Sequence, residues 1–168
     1  MGDVKNLSQN DAIAKLKELA EDIGVCMFCT DLGNVPFQTR PMGTQKVDEN
    51  GDLWFLSAAS SDKNDEIRHD SDVQLLYSKN SDAKFLSVLG KAEVSRDKAK
   101  IDELWNKLAE AWFKGGKDDP NLTVVRVRPS EAYYWDTKNG KMITLIKIAI
   151  SAVSGLRMDG GVEGKIRL

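Results

Sequence analysis

Two strand-like runs, 36–47 and 53–58, are separated only by a turn centred on Glu49-Asn50-Gly51-Asp52. Asn-Gly between such runs is a strong hairpin signal, because both residues accept the positive φ of a tight turn. So short a connection makes the two strands antiparallel, since a parallel pair needs a crossover of about a dozen residues or more. This argues against a doubly wound α/β sheet. The rest of the chain continues in the same manner. Strand-like runs are expected at 25–32, closed by Gly33-Asn34, at 73–78, and at 83–95 after the turn Asn80-Ser81-Asp82. Two more are expected at 122–127 and 131–135.

Helical periodicity appears between them. Ala12, Ile13, Leu16, Leu19, Ala20 and Ile23 recur at spacings of three and four, with Ser8, Asn10 or Asp11 as caps and Gly24 as the stop. Residues 60–70 read as a short polar helix with Ile67 inward. Residues 97–113 read as one helix carrying Ile101, Leu104, Trp105, Leu108, Ala109, Trp112 and Phe113, ended by Gly115-Gly116. A last helix is expected over 140–153, where Thr144, Lys147, Ser151 and Ser154 form a polar stripe. Six or seven short strands with few helices and no strand–helix alternation give an α+β class, mainly β, built on an antiparallel sheet that can close as a barrel.

The 168 residues suit one domain. Lys plus Arg is 24 against 26 Asp plus Glu, a net charge of −2, without the basic excess of a nucleic-acid binder. The longest apolar run, 142–153, is interrupted by Lys147 and too short to span a bilayer. The first residues carry no signal-peptide core, so a cytoplasmic location is expected.

Most chemistry-bearing patterns weigh toward structure. Cys26 and Cys29 form Cys-x-x-Cys inside an apolar run, where residues three apart in a strand point to opposite faces. Two buried thiols are expected there, not a redox pair or zinc site. With His69 as its one histidine, the chain gives no ready triad, and Ile-Arg-His-Asp reads as the exposed end of a short helix. The segment 160–165, with Gly160, Gly161 and Gly164, lacks phosphate-loop spacing. Asp62, Asp65, Glu66, Asp118 and Asp119 read as solvated surface. The four tryptophans, Trp54, Trp105, Trp112 and Trp135, are mostly core, with room for one against a planar ligand.

Arg40 and Lys63 stand apart. Arg40 lies in a strand-like stretch, and Lys63 starts a short helix just after the next strand. A hairpin between them can bring the two cations together beside a helix start, whose backbone N–H groups and dipole favour an anion. Arg supplies a planar fork for phosphate and Lys a point charge.

The order of motifs is distinctive. Arg40-Pro41-Met42 is followed by Asn50-Gly51, by Leu53-Trp54-Phe55-Leu56-Ser57, and by Ser61-Asp62-Lys63 leading into a helix. Then come Ser87-Val88-Leu89-Gly90, Ile101-Asp102-Glu103-Leu104-Trp105, Ala111-Trp112-Phe113, Asp118-Asp119-Pro120 and Glu131-Ala132-Tyr133-Tyr134-Trp135-Asp136. The series resembles the FMN-binding split-barrel superfamily that includes pyridoxamine 5′-phosphate oxidase, and within it the general stress protein 26-like branch. The resemblance implies a six-stranded antiparallel split β-barrel over 1–155 with flanking helices, a Gly-rich tail over 156–168, and a homodimer with FMN at its interface. It implies that Arg40 and Lys63 clamp the FMN phosphate, with Ser57 and Ser61 as hydroxyl donors. Met42, Gly43 and the backbone of Phe55 and Leu56 would line the ring and ribityl chain, and Trp112 of the other subunit would cover the ring. The implied activity is a flavin-dependent oxidoreductase of unknown substrate, the alternative being a non-catalytic flavin carrier or stress-related binder. FAD, a deazaflavin or haem in the same fold, and a cofactor-free dimer, are the further rivals. The ending Gly164-Lys165-Ile166-Arg167-Leu168 lacks the tryptophan and proline of true pyridoxamine phosphate oxidases, so their substrate residues do not transfer.

Overall fold

The structure is a computed structural model that describes residues 9–138 and 141–148. Helix α1 (Gln9–Ile23) places Ala12, Leu16, Leu19 and Ala20 on one buried face. It stops at Gly24, whose φ of +79° few other residues tolerate and whose N–H bonds the Ala20 carbonyl at 2.9 Å. The strands are β1 (Val25–Thr30), β2 (Gln38–Gly43), β3 (Lys46–Val47), β4 (Leu53–Ala58), β5 (Asp72–Lys79), β6 (Lys84–Ser95), β7 (Leu122–Lys138) and β8 (Lys141–Ile148). The other helices are α2 (Asp62–His69), α3 (Lys98–Leu104) and α4 (Lys107–Trp112).

The strands lie in the order β2-β1-β5-β6-β7-β4-β3, with β8 beside the far end of β7, and the pairings are all antiparallel. Six strands, β1, β2, β4, β5, β6 and β7, make the body. The two outermost strands of the order, β2 and β3, belong to one continuous segment, so the chain crosses from one edge of the sheet to the other at Thr44-Gln45. There the Thr44 N–H bonds the Gly24 carbonyl at 2.7 Å and the Gln45 N–H bonds the Trp54 carbonyl at 2.8 Å. The sheet therefore curls onto itself as a barrel-like wall.

Strand alternation then sorts residues to two sides. Phe28, Leu53, Phe55, Leu75, Leu86, Val88, Val125 and Val127 share one core with Leu16 and Leu19 of α1. Phe28 and Phe55 meet edge-to-face at 5.3 Å. Each such fully buried side chain contributes about 1.5–3 kcal/mol. The other side of β4 and β7 presents Trp54, Leu122 and Val124 to Ile101, Leu104 and Phe113, a second core under α3 and the segment after α4.

Four expectations change. The strand predicted over 36–47 is two, β2 and β3, at opposite edges of the sheet, because the chain crosses over at Thr44-Gln45. The helix predicted over 97–113 is two helices: Trp105 is extended at ψ 130°, and Asn106 caps α4 by accepting from the Leu108 and Ala109 N–H groups at 2.9 and 3.0 Å. Trp105 and Trp112 therefore do not share a helix. The strands predicted at 122–127 and 131–135 are one strand, β7, interrupted by a bulge at which Gly90 faces Pro129 and Leu89 faces Glu131. Proline cannot donate to a ladder, so the break in pattern marks a bulge and not a strand end. The described part of the helix predicted over 140–153 is β8, paired with β7 from Lys138↔Lys141 to Ala132↔Ile148. Its β-branched Ile143, Thr144, Ile146 and Ile148 favour a strand once β7 offers a free edge. The rest of that segment, the 156–168 tail and the 160–165 glycine segment lie outside the described residues.

Candidate functional site

Strand β4 runs into a tight turn and then into α2. Period-two alternation puts Ser57 on the same side as Leu53 and Phe55, and α2 turns Lys63, Asn64 and Ile67 toward it, all buried. Arg40 on β2 lies opposite Phe28 of β1, which places it diagonally next to Thr30. The two cations singled out in the sequence thus arrive at one place from different elements. They are close enough that the charge of Arg40 acts on Lys63.

Lys63 is only 4% exposed. Its ammonium donates to Ser57 Oγ and, at 3.3 Å, to Asn64 Oδ1. Behind it the polar groups satisfy one another. Ser57 Oγ donates to Asn64 Oδ1 at 2.8 Å, Asn64 Nδ2 donates to the Ala58 carbonyl and Thr123 Oγ1 at 3.0 Å each, and Thr123 Oγ1 donates to the Ser57 carbonyl at 2.8 Å. Such a closed network fixes its members in place. Among the described residues no carboxylate forms an ion pair with Lys63. Its pKa is lowered to about 8, chiefly by burial and in part by the Arg40 charge, with Glu66 opposing both.

Arg40 is held differently. One terminal nitrogen donates to Thr30 Oγ1 at 2.5 Å and the other to Glu66 Oε2 at 2.6 Å, while the Thr30 hydroxyl donates to the same Glu66 oxygen at 2.5 Å. Two cations and one anion leave this cluster with one excess positive charge. Ser61 stands at the N-cap of α2 without a capping bond from its side chain. On one side β4 is paired with β7 along its whole length. On the other, β3 covers only Leu53 and Trp54, so among the described residues no strand pairs with Phe55, Leu56 or Ser57 there. A buried ammonium that lacks an ion-paired carboxylate, a guanidinium and an open backbone edge are donors that suit a phosphate carrying a polar body.

The remaining expected residues divide. Met42 is half-buried against the main core, and Gly43 is exposed at the end of β2. The Phe55 ring is wholly inside the core, and the Leu56 side chain packs on the second core, leaving only their backbone to a ligand. Trp112 is not brought to this cluster by its own chain. It stands on α4, 77% exposed, with Leu108 one turn before it at 64%. The sequence missed Thr30, Asn64 and Thr123, and it misread Glu66, which is half-buried and paired with Arg40 instead of solvated surface. Glu66 precedes the buried Ile67 on α2, which was the available signal.

The two cysteines and His69 stand as read. Cys26 and Cys29 are free and buried, and Cys26 belongs to the main core while its pKa is pushed up to about 12 by burial. His69 ends α2 in solvent. Among the described residues no group of His, Cys, Asp and Glu is arranged to hold a metal, and no helix is long and apolar enough to cross a membrane. The outward face of β1, β5 and β6 exposes Val25, Met27, Leu76 and Leu89. Beside it lies an open apolar groove of about 550 Å³, bordered by Met27, Leu76, Phe85 and Trp135.

Known proteins place this architecture. A solved protein from Clostridium acetobutylicum, related to general stress protein 26 of Bacillus subtilis, superposes with a TM-score of 0.68 over 86% of this chain and 97% of its own, at 20% identity. The general stress FMN/FAD binding protein of Xanthomonas citri superposes with a TM-score of 0.66 over 92% of this chain and all of its own, at 25% identity. In sequence, general stress protein 26 of Bacillus subtilis is 28% identical over 82 residues, 47% of this chain. Protein bli-3 of Neurospora crassa is 29% identical over 97 residues, 52% of this chain. The chain spans about half the length of these two relatives, 58% and 46%. The model of the family described as pyridoxamine 5′-phosphate oxidase like matches residues 11–159. With the family's sequence pattern running through nearly the whole chain and its curled antiparallel sheet in the structure, this chain belongs to the pyridoxamine 5′-phosphate oxidase-like family.

Proposed function

We propose that this chain binds FMN and serves as a flavin-dependent oxidoreductase of the general stress type. The observation that carries the reading is the meeting of Arg40 with a buried Lys63 that lacks an ion-paired carboxylate. A phosphate monoester supplies the missing negative charge. Arg40 and Lys63 hold that phosphate, with the Ser57 and Ser61 hydroxyls beside it. The unpaired backbone of Phe55 and Leu56, with Met42 and Gly43, takes the ribityl chain and ring. FMN fits better than FAD, because two cations match a terminal dianionic phosphate better than the singly charged phosphates of a pyrophosphate. Bound flavin would supply hydride or electron transfer, and the protein would orient and shield it. Such a role needs no acid, base or nucleophile from the protein's own side chains.

A homodimer completes the reading. Two copies bury the apolar face around Met27 and Leu76 between them, and Trp112 of one covers the flavin of the other; the exposure of both Trp112 and that face supports this reading. Free Cys26 and Cys29 suit the reducing cytoplasm.

The test is a fluorescence titration of the purified protein with FMN, alongside its mass by light scattering. Stoichiometric quenching, a mass of two chains and loss of quenching in the Arg40→Ala/Lys63→Ala variant support the proposal. Unaltered flavin affinity in that variant overturns the phosphate assignment. Reduced nicotinamide consumption at background rate, with binding intact, replaces the oxidoreductase by the flavin carrier.

A further inference from the structure

The phosphate-binding fork of Arg40 is already occupied by the protein itself. Both terminal nitrogens are engaged, one by Thr30 and one by Glu66, and Thr30 ties back to the same carboxylate oxygen. Arg40 and Glu66 are 24% and 22% exposed at their side chains, so solvent only partly screens the pair. Lys63, a few residues earlier on α2, does not share in this neutralisation by contact, since its ammonium reaches only Ser57 and Asn64. The anion at this site is therefore an internal carboxylate, carried on the helix whose N-terminus would face the ligand.

Resting on the FMN reading above, we infer that Glu66 is a built-in counter-anion that competes with the ligand's phosphate for Arg40. It thereby sets how tightly and how selectively the site takes a phosphate monoester. A dianionic phosphate displaces or shares the Arg40–Glu66 contact, because it brings two charges and three acceptor oxygens against one carboxylate. A weaker anion, or a flavin without phosphate, does not repay the loss. Glu66 here acts on affinity through Arg40 and is a positioning residue, not a catalytic one. The same contact keeps Arg40 folded against β1 until a ligand arrives.

Glu66→Gln keeps the shape and the acceptor toward Thr30 and Arg40 but removes the charge. The expected result is FMN binding about five- to tenfold tighter, since a charge-assisted contact to Arg40 is exchanged for a neutral one. Glu66→Ala should move in the same direction. Riboflavin, which lacks the phosphate, should bind the wild type and both variants alike, and this also reports that the fold is intact. In an Arg40→Ala background the gain from Glu66→Gln should shrink, because nothing remains to compete for. Wild-type FMN binding with unchanged or weaker binding in Glu66→Gln overturns this inference and leaves the FMN reading standing. An undiminished gain in the Arg40→Ala background means simple repulsion and overturns the competition. FMN binding by neither wild type nor variants sinks both.

Discussion

Replacing Lys63 by Met should make the ligand-free protein more stable and the flavin complex weaker. Lys63 is 4% exposed, and burial brings its pKa from 10.5 to about 8. Holding it charged near neutral pH therefore opposes folding by an amount bounded near 3 kcal/mol, from a shift of about 2.5 pH units. The lysine gives back part of this through its bonds, about 1.5 kcal/mol from Ser57, the low end for a charged donor to a neutral hydroxyl, and little from Asn64, which is 3.3 Å away. Met is unbranched and fills the same channel. Ser57 Oγ keeps its bond to Asn64 Oδ1, so no buried hydroxyl is stranded. The net expectation is a gain of about 1–2 kcal/mol, or a melting temperature higher by about 3–6 °C for a domain of this size. The same change removes a charge-assisted bond to phosphate, so FMN affinity should fall roughly 10- to 150-fold. Calorimetric melts of the ligand-free protein and flavin quenching titrations read the two effects separately. A Lys63→Met protein that is destabilised by more than about 1 kcal/mol, or that binds FMN as wild type does, refutes the argument. The first result would mean that Lys63 holds the fold, and the second that its charge faces no ligand.

Proton linkage gives a second check. Above about pH 8 the free protein has lost the Lys63 proton that a phosphate-bound site retains, so FMN affinity should decline by up to about tenfold per pH unit there. The unfolded chain keeps that proton to about 10.5, so this group makes the ligand-free protein more stable as pH rises from about 8 toward 10.5. Titrations and melts at stepped pH should show both trends, and Lys63→Met should flatten them. At the bulge in β7, a Cβ added to Gly90 would lie 2.5 Å from the Arg128 carbonyl oxygen and 3.0 Å from its carbon. Backbone cannot step aside as a flexible side chain can, so Gly90→Ala should destabilise by about 1–3 kcal/mol. Its denaturant midpoint should fall without a change in slope; a midpoint within error of wild type would count against the bulge geometry.

Local patterns along the chain settled a great deal. The Asn50-Gly51 turn, the alternation of Leu53, Phe55 and Ser57 against Trp54 and Leu56, and the three–four spacing of α1 are rules of nearest neighbours, and they carried the antiparallel class and most elements. The run 53–58 became β4 residue for residue. Arg40 and Lys63 were visible as two cations of the right type, but the hairpin before α2 is β3–β4, and Arg40 reaches Lys63 from β2, paired with β1, only because the sheet curls onto itself. Failures came where an element's state depended on a partner distant in sequence. The stripe of Thr144 and Lys147 fits a helix in isolation, yet β7 supplied an edge and Lys141–Ile148 became a strand. Trp105 fits the helical period of 97–113, but Asn106 caps a new helix there. The charges show the same division. Sequence singled out two cations; only tertiary structure decided how they meet and in what states. Arg40 is neutralised because β2 sets it beside Thr30 while α2 brings Glu66 across. Lys63 is left without an ion-paired carboxylate because β4 and β7 close Ser57 and Thr123 around it. Burial and pairing arise from what surrounds a residue, and those surroundings come from strands dozens of residues away.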